Sequence, residues 1–275
     1  MKKKIEELFR NIFPKRVKNY KFLKSKFINQ NGLEIGGPSF AFSEKGFLPL
    51  YSVVGNLDGC NFSNQTVWEG EIKSGLNYKY GVRTGTQFIF DGGSLKEIAD
   101  NSYDFVLSCH SLEHMANPIK ALVEWKRIIK DNSNVLLILP HKDNTFDRNR
   151  PITHINHLIN DLENNTLEND ETHFQEVLSL HDLSLDAGIK DMEALRLRTS
   201  GNYDNRCVHH HVFNTPMVAQ MVDYAGFKIC EIQHFNPFHI IFLLKKPNGN
   251  FDNSAFLSPE NKAYQKQQFP SDKIW

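Results

Sequence analysis

Residues 101–118 read N-S-Y-D-F-V-L-S-C-H-S-L-E-H-M-A-N-P, and residues 119–134 lead from there into the apolar run Val135-Leu136-Leu137-Ile138-Leu139. Tyr103 to Cys109 is apolar apart from Asp104 and Ser108, the pattern of a strand covered on both faces. It stops abruptly at His110 and Ser111. Pro118 then opens a stretch with apolar residues at Ile119, Leu122, Val123, Trp125, Ile128 and Ile129. That spacing predicts an amphipathic helix with proline in its first turn. Strand, helix and strand make one crossover unit, right-handed by the general rule and therefore part of a parallel sheet.

Upstream, Gly32 to Ile35 reads as a first strand ending at Gly36-Gly37-Pro38-Ser39. Leu48 to Val54 reads as a second, closing at Gly55-Asn56-Leu57-Asp58, and Phe88 to Phe90 as a third, ending at Asp91-Gly92-Gly93. Tyr103 to Cys109 is then the fourth and Val135 to Leu139 the fifth, with Asp131-Asn132-Ser133-Asn134 as the turn between helix and strand. Downstream, Thr215 to Ala225 predicts a helix with Pro216 in its first turn and Gly226 as its stop. Phe227 to Ile232 and Phe238 to Leu244 predict two closing strands. Ligands of open parallel sheets bind outside the carboxyl ends of the strands, so the polar residues at these ends are the candidate site.

Over residues 30–145, with a weaker return at 208–245, these segments resemble the class I S-adenosylmethionine (SAM) dependent methyltransferases. The type 11-like branch, with a Leu-Glu-His segment after its fourth strand (here Leu112-Glu113-His114), is the nearest. The resemblance implies a doubly wound, mostly parallel, seven-stranded Rossmann-like sheet closed by an antiparallel hairpin. It implies SAM as cofactor, with Glu34, Gly36, Gly37 and Pro38 at the first turn. Asp58 would meet the ribose hydroxyls, with Asn56 as the competing choice. Asp91, Gly92 and Gly93 would form the adenine side, and His110 would face the cofactor. The family pattern E-x-G-x-G-x-G is matched at Glu34 and Gly36, while Pro38 and Phe40 stand where its later glycines belong. That departure also counts against a dinucleotide enzyme, whose pyrophosphate needs a G-x-G-x-x-G helix start.

Two other function classes compete. His110-Ser111-Leu112-Glu113-His114 spells the zinc-hydrolase pattern H-x-x-E-H, but a strand precedes it and Asn117-Pro118 follows, leaving little room for a long zinc-binding helix. A non-catalytic SAM-fold binding subunit is the second alternative. Lys+Arg and Asp+Glu are equal at 32 each, so no global charge draws nucleic acid. Cys60, Cys109, Cys207 and Cys230 show no paired spacing, which fits reduced thiols in a cytoplasmic protein. No apolar run approaches the ~20 residues that span a bilayer. Residues 1–29 form a basic segment with Ile5, Leu8, Phe9, Ile12 and Phe13 at helical spacing. It reads as a helix over the sheet edge, or as a surface for peripheral contact with anionic lipid.

The methyltransferase domain is expected over 30–246, with a helical, substrate-covering insertion at about 142–206 after the fifth strand. A polar tail follows over 247–275, with Phe251, Phe256, Phe269 and Trp275 as docking points. Ten of the twelve histidines lie between 110 and 211. Methyl transfer to a hydroxyl needs a positioned acceptor and a proton acceptor, a task suited to imidazole. His141, following the fifth strand through Pro140, is the first candidate base, with His110, His157 and His173 behind it and the His209–His211 run in reserve. A divalent metal is a further possibility, with His154, His157, His173 and His181 as candidate ligands. Arg148, Arg150, Arg196, Arg198 and Arg206 are candidate anion clamps or partners of the insertion's acids. The expected reaction is O-methylation of a small polar acceptor such as a sugar, nucleotide-linked sugar or surface-polysaccharide precursor.

Overall fold

The computed structural model describes residues 15–260 and 269–273. The predicted helix at residues 5–13 and the docking point at Trp275 lie outside the described residues. Eight strands form the main sheet: β1 (Asn31–Ile35), β2 (Asn56–Asn61), β5 (Gly75–Tyr80), β6 (Arg83–Ile89), β7 (Tyr103–Cys109), β8 (Ile129–Pro140), β9 (Lys228–Phe235) and β10 (His239–Lys245). A separate two-stranded ribbon pairs β3 (Gln65–Thr66) with β4 (Gly70–Glu71). The sheet order is β5-β6-β2-β1-β7-β8-β10-β9. The pairs β6/β2, β2/β1, β1/β7 and β7/β8 are parallel, whereas β8/β10, β10/β9 and β5/β6 are antiparallel.

Alternation along the central strands builds two cores. Val135, Leu137 and Leu139 of β8 face one side of the sheet with Ile240, Phe242 and Leu244 of β10; Leu136, Ile138, Ile241 and Leu243 face the other. This period-2 division gives the first face to helices α2 (Pro118–Ile128) and α7 (Thr215–Tyr224), with Trp125, Met221 and Val222 fully buried. The second face is covered by α1 (Tyr20–Ser25) through Leu23, and by the loop residues Leu48, Leu50, Tyr51 and Val54. Between β8 and α7 run α3 (Ile155–Glu163), α4 (Phe174–Leu180), α5 (Met192–Ser200) and α6 (Asn202–Asn205). Among the described residues, no helix is long and apolar enough to cross a membrane.

Three expectations need correction. The apolar run Leu48 to Val54 is a buried loop and not the second strand, which is the polar Asn56–Asn61. Its pairing to both β1 and β6 decides the matter, over a composition poor in strand formers. The sheet has eight strands and not seven, because β5 folds back on β6 through Gly81 (φ 62°). Residues 131–134 are an irregularity inside the long β8, where the register against β7 jumps from Tyr103–Ile129 to Phe105–Asn134. The tail docks through Phe269, which is fully buried, and through Asp272, which accepts from Thr215 N (2.7 Å) and Thr215 Oγ1 (2.8 Å).

Candidate active site

The carboxyl ends of β1 and β7 meet at one place. Gly36 leaves β1 with φ 77°, and a Cβ there would stand 2.2 Å from Ser111 Oγ. Only glycine satisfies both the left-handed backbone and the close approach. Ser111 Oγ donates to the Ile35 carbonyl (3.0 Å), tying the two strand ends together. His110, the residue between β7 and Ser111, is itself left-handed (φ 54°), a backbone strain that accumulates at functional sites. Asn61 ends β2 and donates to the Gly37 carbonyl (2.9 Å), fixing the turn from the other side.

A cleft, open to solvent on one side, lies over these ends. Gly36, His110, Ser111 and His114 from the ends of β1 and β7 line it together with Cys60, Asn61, Phe62, Trp68, Asp91, Gly92, Met115 and Arg206. Phe62 and Trp68 stand with ring centroids 5.9 Å apart, and the Arg206 guanidinium lies 5.2 Å from the Phe62 ring. Asp91 holds its loop by accepting from Gly93 N (2.8 Å), and Arg206 pairs with Asp91 (3.5 Å) and with Glu168. A wider opening that shares Asp91 and Arg206 is lined by Leu167, Glu168, Asn169 and Tyr203.

Behind the His110 wall sits a polar cluster. Glu113 is fully buried, and neither carboxyl oxygen has a hydrogen-bond partner; His110 Nδ1 stands 3.7 Å from Oε1. Burial pushes Glu113 up to about 7, against the lowering pull of His209. Burial also pushes His110 down to about 3, helped by His239 and His209, and holds His114 well below the ordinary imidazole range. His110 Nε2 lies 2.9 Å from His239 Nδ1. His209 Nδ1 lies 2.5 Å from Asp147 Oδ2. Burial works to raise the Asp147 carboxyl, but His209 and Arg150 hold it down at about 2.

Of the residues singled out from sequence, Gly36, Asp91, Gly92 and His110 line the cavity, and Glu34, Gly37, Pro38, Asp58 and Gly93 do not. Glu34 is buried beneath the turn, accepting from Ser39 N (2.9 Å), Tyr51 OH (2.8 Å) and Tyr78 OH (2.6 Å). Asp58, expected at a strand end, stands mid-strand because β2 runs on to Asn61. There it accepts from Thr86 N (2.8 Å) and Tyr103 OH (2.9 Å). His141 does not project from the sheet edge: the tail covers it, with Phe269 stacked at 3.9 Å and Asp272 Oδ1 3.0 Å from Nε2.

His157 and His173 meet at 3.1 Å between Nε2 atoms and, with His211, place one potential ligand atom each within 4.8 Å of one another. His154 caps α3 and His181 pairs with Asp186 (3.0 Å), so neither joins that group. Arg150 is a buried strut that donates to Asp147 and to the His209 carbonyl. Arg148 and Arg198 pair with Asp182 and Asp186, and Arg196 with Glu193. Asn61, Phe62, Trp68, Ser111 and Met115 are cavity residues that the sequence pattern does not single out. Asn61 and Phe62 become legible once β2 is placed at 56–61, whereas Trp68 and Met115 carry no periodic signal.

Residues 70–137 match the family model described as a methyltransferase domain. No curated protein gives a significant match. Similar solved structures include a SAM-dependent methyltransferase from Aquifex aeolicus (12% identity, TM-score 0.43, covering 84% of this chain and 90% of that one). A SAM-dependent methyltransferase from Methanosarcina mazei is 16% identical (TM-score 0.46, 82% and 97%). An arsenic(III) SAM methyltransferase from Chlamydomonas reinhardtii is 12% identical (TM-score 0.46, 82% and 67%). The family match runs from β4 into β8. The family match marks residues 70–137 as similar in sequence to a methyltransferase domain. At Gly36, where a Cβ would strike Ser111, the backbone lines the cavity without a side chain.

Proposed function

We propose that the chain methylates a hydroxyl of a small polar acceptor, a sugar or nucleotide-linked sugar being the best match. The observation that carries the reading is the imidazole wall, His110 and His114 over buried Glu113, at the end of a cavity otherwise lined largely by apolar and aromatic groups. SAM supplies a methyl group on a positively charged sulfur. Gly36, Asn61 and Ser111 hold one end of the cosubstrate, and Phe62, Trp68 and Asp91 the other. The acceptor oxygen forms the new C–O bond as the C–S bond breaks, the electron pair leaving with sulfur.

His110 is kept neutral by burial, so its ring offers a lone pair for the hydroxyl proton. Its 2.9 Å contact with His239 gives that proton a path to a partly exposed ring. Excluding water from this wall strengthens every such contact. The neighbouring opening suits a polyhydroxylated acceptor. Tyr203 is an exposed ring, and Asn169, Glu168 and Arg206 offer hydrogen-bonding groups of both signs.

The test is transfer from methyl-labelled SAM to a panel of nucleotide-linked sugars, free sugars and amines, with products located by mass spectrometry. Label on a sugar oxygen is the expected result. Label on amines alone, with every hydroxyl acceptor inert, overturns the reading.

A further inference from the structure

We infer that Glu113, His114 and His209 form a binding site for a divalent transition-metal ion of the zinc class at the inner wall of the SAM cavity. Among the described residues, these three place one potential ligand atom each within 4.8 Å of one another. Zinc–ligand bonds of about 2.0–2.2 Å bring tetrahedral ligand atoms to roughly 3.4 Å apart. Side-chain shifts of about an ångström therefore close the site. Two histidines and one glutamate are the donor set of catalytic zinc sites that keep a position open.

The surroundings match what such ligands need. A metal-bound imidazole holds its second nitrogen on a carboxylate or backbone carbonyl, which fixes the ring and leaves the first nitrogen free. His209 Nδ1 lies 2.5 Å from Asp147 Oδ2, and His114 Nδ1 lies 3.2 Å from the Val208 carbonyl. Nε2 is thereby left to each ligand. Asp147 is in turn gripped by Arg150 Nη1 (2.8 Å), which also donates to the His209 carbonyl (2.9 Å).

The glutamate gives the independent sign. A fully buried carboxyl with both oxygens unpartnered is costly, and a cation between it and two imidazoles removes that cost. The backbone holds Glu113 in place: its carbonyl accepts from His210 N (2.8 Å), and the Leu112–His114 turn is tied by His114 N to Ser111 O (3.2 Å). The ligands thus come from two distant segments that this contact joins.

The H-x-x-E-H pattern supplies Glu113 and His114 to the site, while its first histidine turns to His239. No long helix is needed, because the third ligand comes from the return segment at His209. Because His114 lines the cavity, an ion here meets the acceptor. It would hold the acceptor oxygen and lower its pKa; this role rests on the proposed O-methylation, whereas the site itself does not.

The experiment is calorimetric titration of the full-length, chelator-treated chain with Zn²⁺, with SAM titrated separately into the same preparations. Wild type should bind Zn²⁺. Glu113→Gln and His209→Gln should each weaken binding about tenfold or more, and Asp147→Asn by ~10–100-fold. His157→Ala should leave this binding in place. Unchanged Zn²⁺ affinity in folded Glu113→Gln and Asp147→Asn overturns the assignment, as does loss confined to His157→Ala. Should Glu113→Gln fail to fold, Asp147→Asn and His209→Gln test the site in its place. SAM bound by wild type with no Zn²⁺ affinity sinks the metal site alone. Zn²⁺ bound with no SAM affinity sinks the methyl-transfer reading alone.

Discussion

Glu34 is the residue on which the Gly36–Ser39 turn rests, and its removal should act first on stability. Its buried carboxyl accepts from two phenols, Tyr51 and Tyr78, and from Ser39 N, which also lies 2.6 Å from the Tyr51 oxygen. Burial raises the Glu34 pKa, and these donors oppose that rise. In Glu34→Ala the Ser39 amide keeps a partner, but two buried hydroxyls lose their acceptor. At roughly 1–3 kcal/mol for each unsatisfied group, less the desolvation relieved by removing the carboxyl, the net loss is about 2–4 kcal/mol. For a chain of this size that lowers Tm by roughly 5–15 °C. Replacing Tyr51 and Tyr78 by Phe in the same background removes the stranded donors and should recover about 1–3 kcal/mol. Urea unfolding of the single and triple variants measures this, and SAM calorimetry should show affinity lost in the single variant and partly regained in the triple. The reasoning fails if the triple is no more stable than the single. It fails equally if Glu34→Ala unfolds like wild type while losing SAM, since the carboxylate would then touch the cosubstrate itself.

Asp58→Asn should cost about 1–2 kcal/mol in unfolding experiments, since Asp58 ties β2 to β6 and β7, while SAM affinity stays close to wild type; a large affinity loss in a stable variant would return Asp58 to the cofactor. His141→Ala should speed hydrogen exchange at residues 269–273, where Phe269 and Asp272 lose their partner, with kcat retained. A kcat loss of ~10²-fold or more with unchanged exchange would make His141 the base after all. Asp170 is held below the usual carboxylate range by the facing His210 imidazole first and by Thr172 next. A depressed folded pKa means its contribution is complete above about pH 4 and is lost as pH falls toward the folded value. Asp170→Asn should therefore flatten the acid side of a Tm-against-pH curve, and a curve parallel to wild type would refute this.

The crossover β7-α2-β8 is legible in the sequence because it is buried on both sides, and burial is what hydrophobic pattern reports. Where polar residues make the strand, the pattern misleads. Asn56–Asn61 contains one aliphatic residue, Leu57, yet forms a central strand because β1 and β6 present backbone on both sides of it. Leu48 to Val54 has the apolarity of a strand but spends it covering the sheet face. β5 is hidden for a related reason: at this sheet edge only Tyr78 and Tyr80 are buried. Cavity-lining residues at strand ends, such as Gly36, Asp91 and His110, follow directly from the strands. Phe62 and Trp68 come from loops, whose positions depend on packing that no local period encodes.

The histidines show where reasoning by composition stops. A concentration of imidazoles after the fourth strand points to one shared cavity, yet the fold divides it. His110 and His114 line the strand-end cavity, His157, His173 and His211 meet on the insertion, and under the tail His141 stacks on Phe269 while His234 meets that ring edge-on. The division follows from direction, not number. The return segment at His209–His211 places consecutive side chains in different surroundings, His209 against Asp147 and His211 against the Ala116 carbonyl. One backbone hydrogen bond, His210 N to Glu113 O, joins that segment to the turn after β7. Glu113 is buried at this junction with its carboxyl unpartnered, so a residue of the H-x-x-E-H pattern stands where the two segments meet.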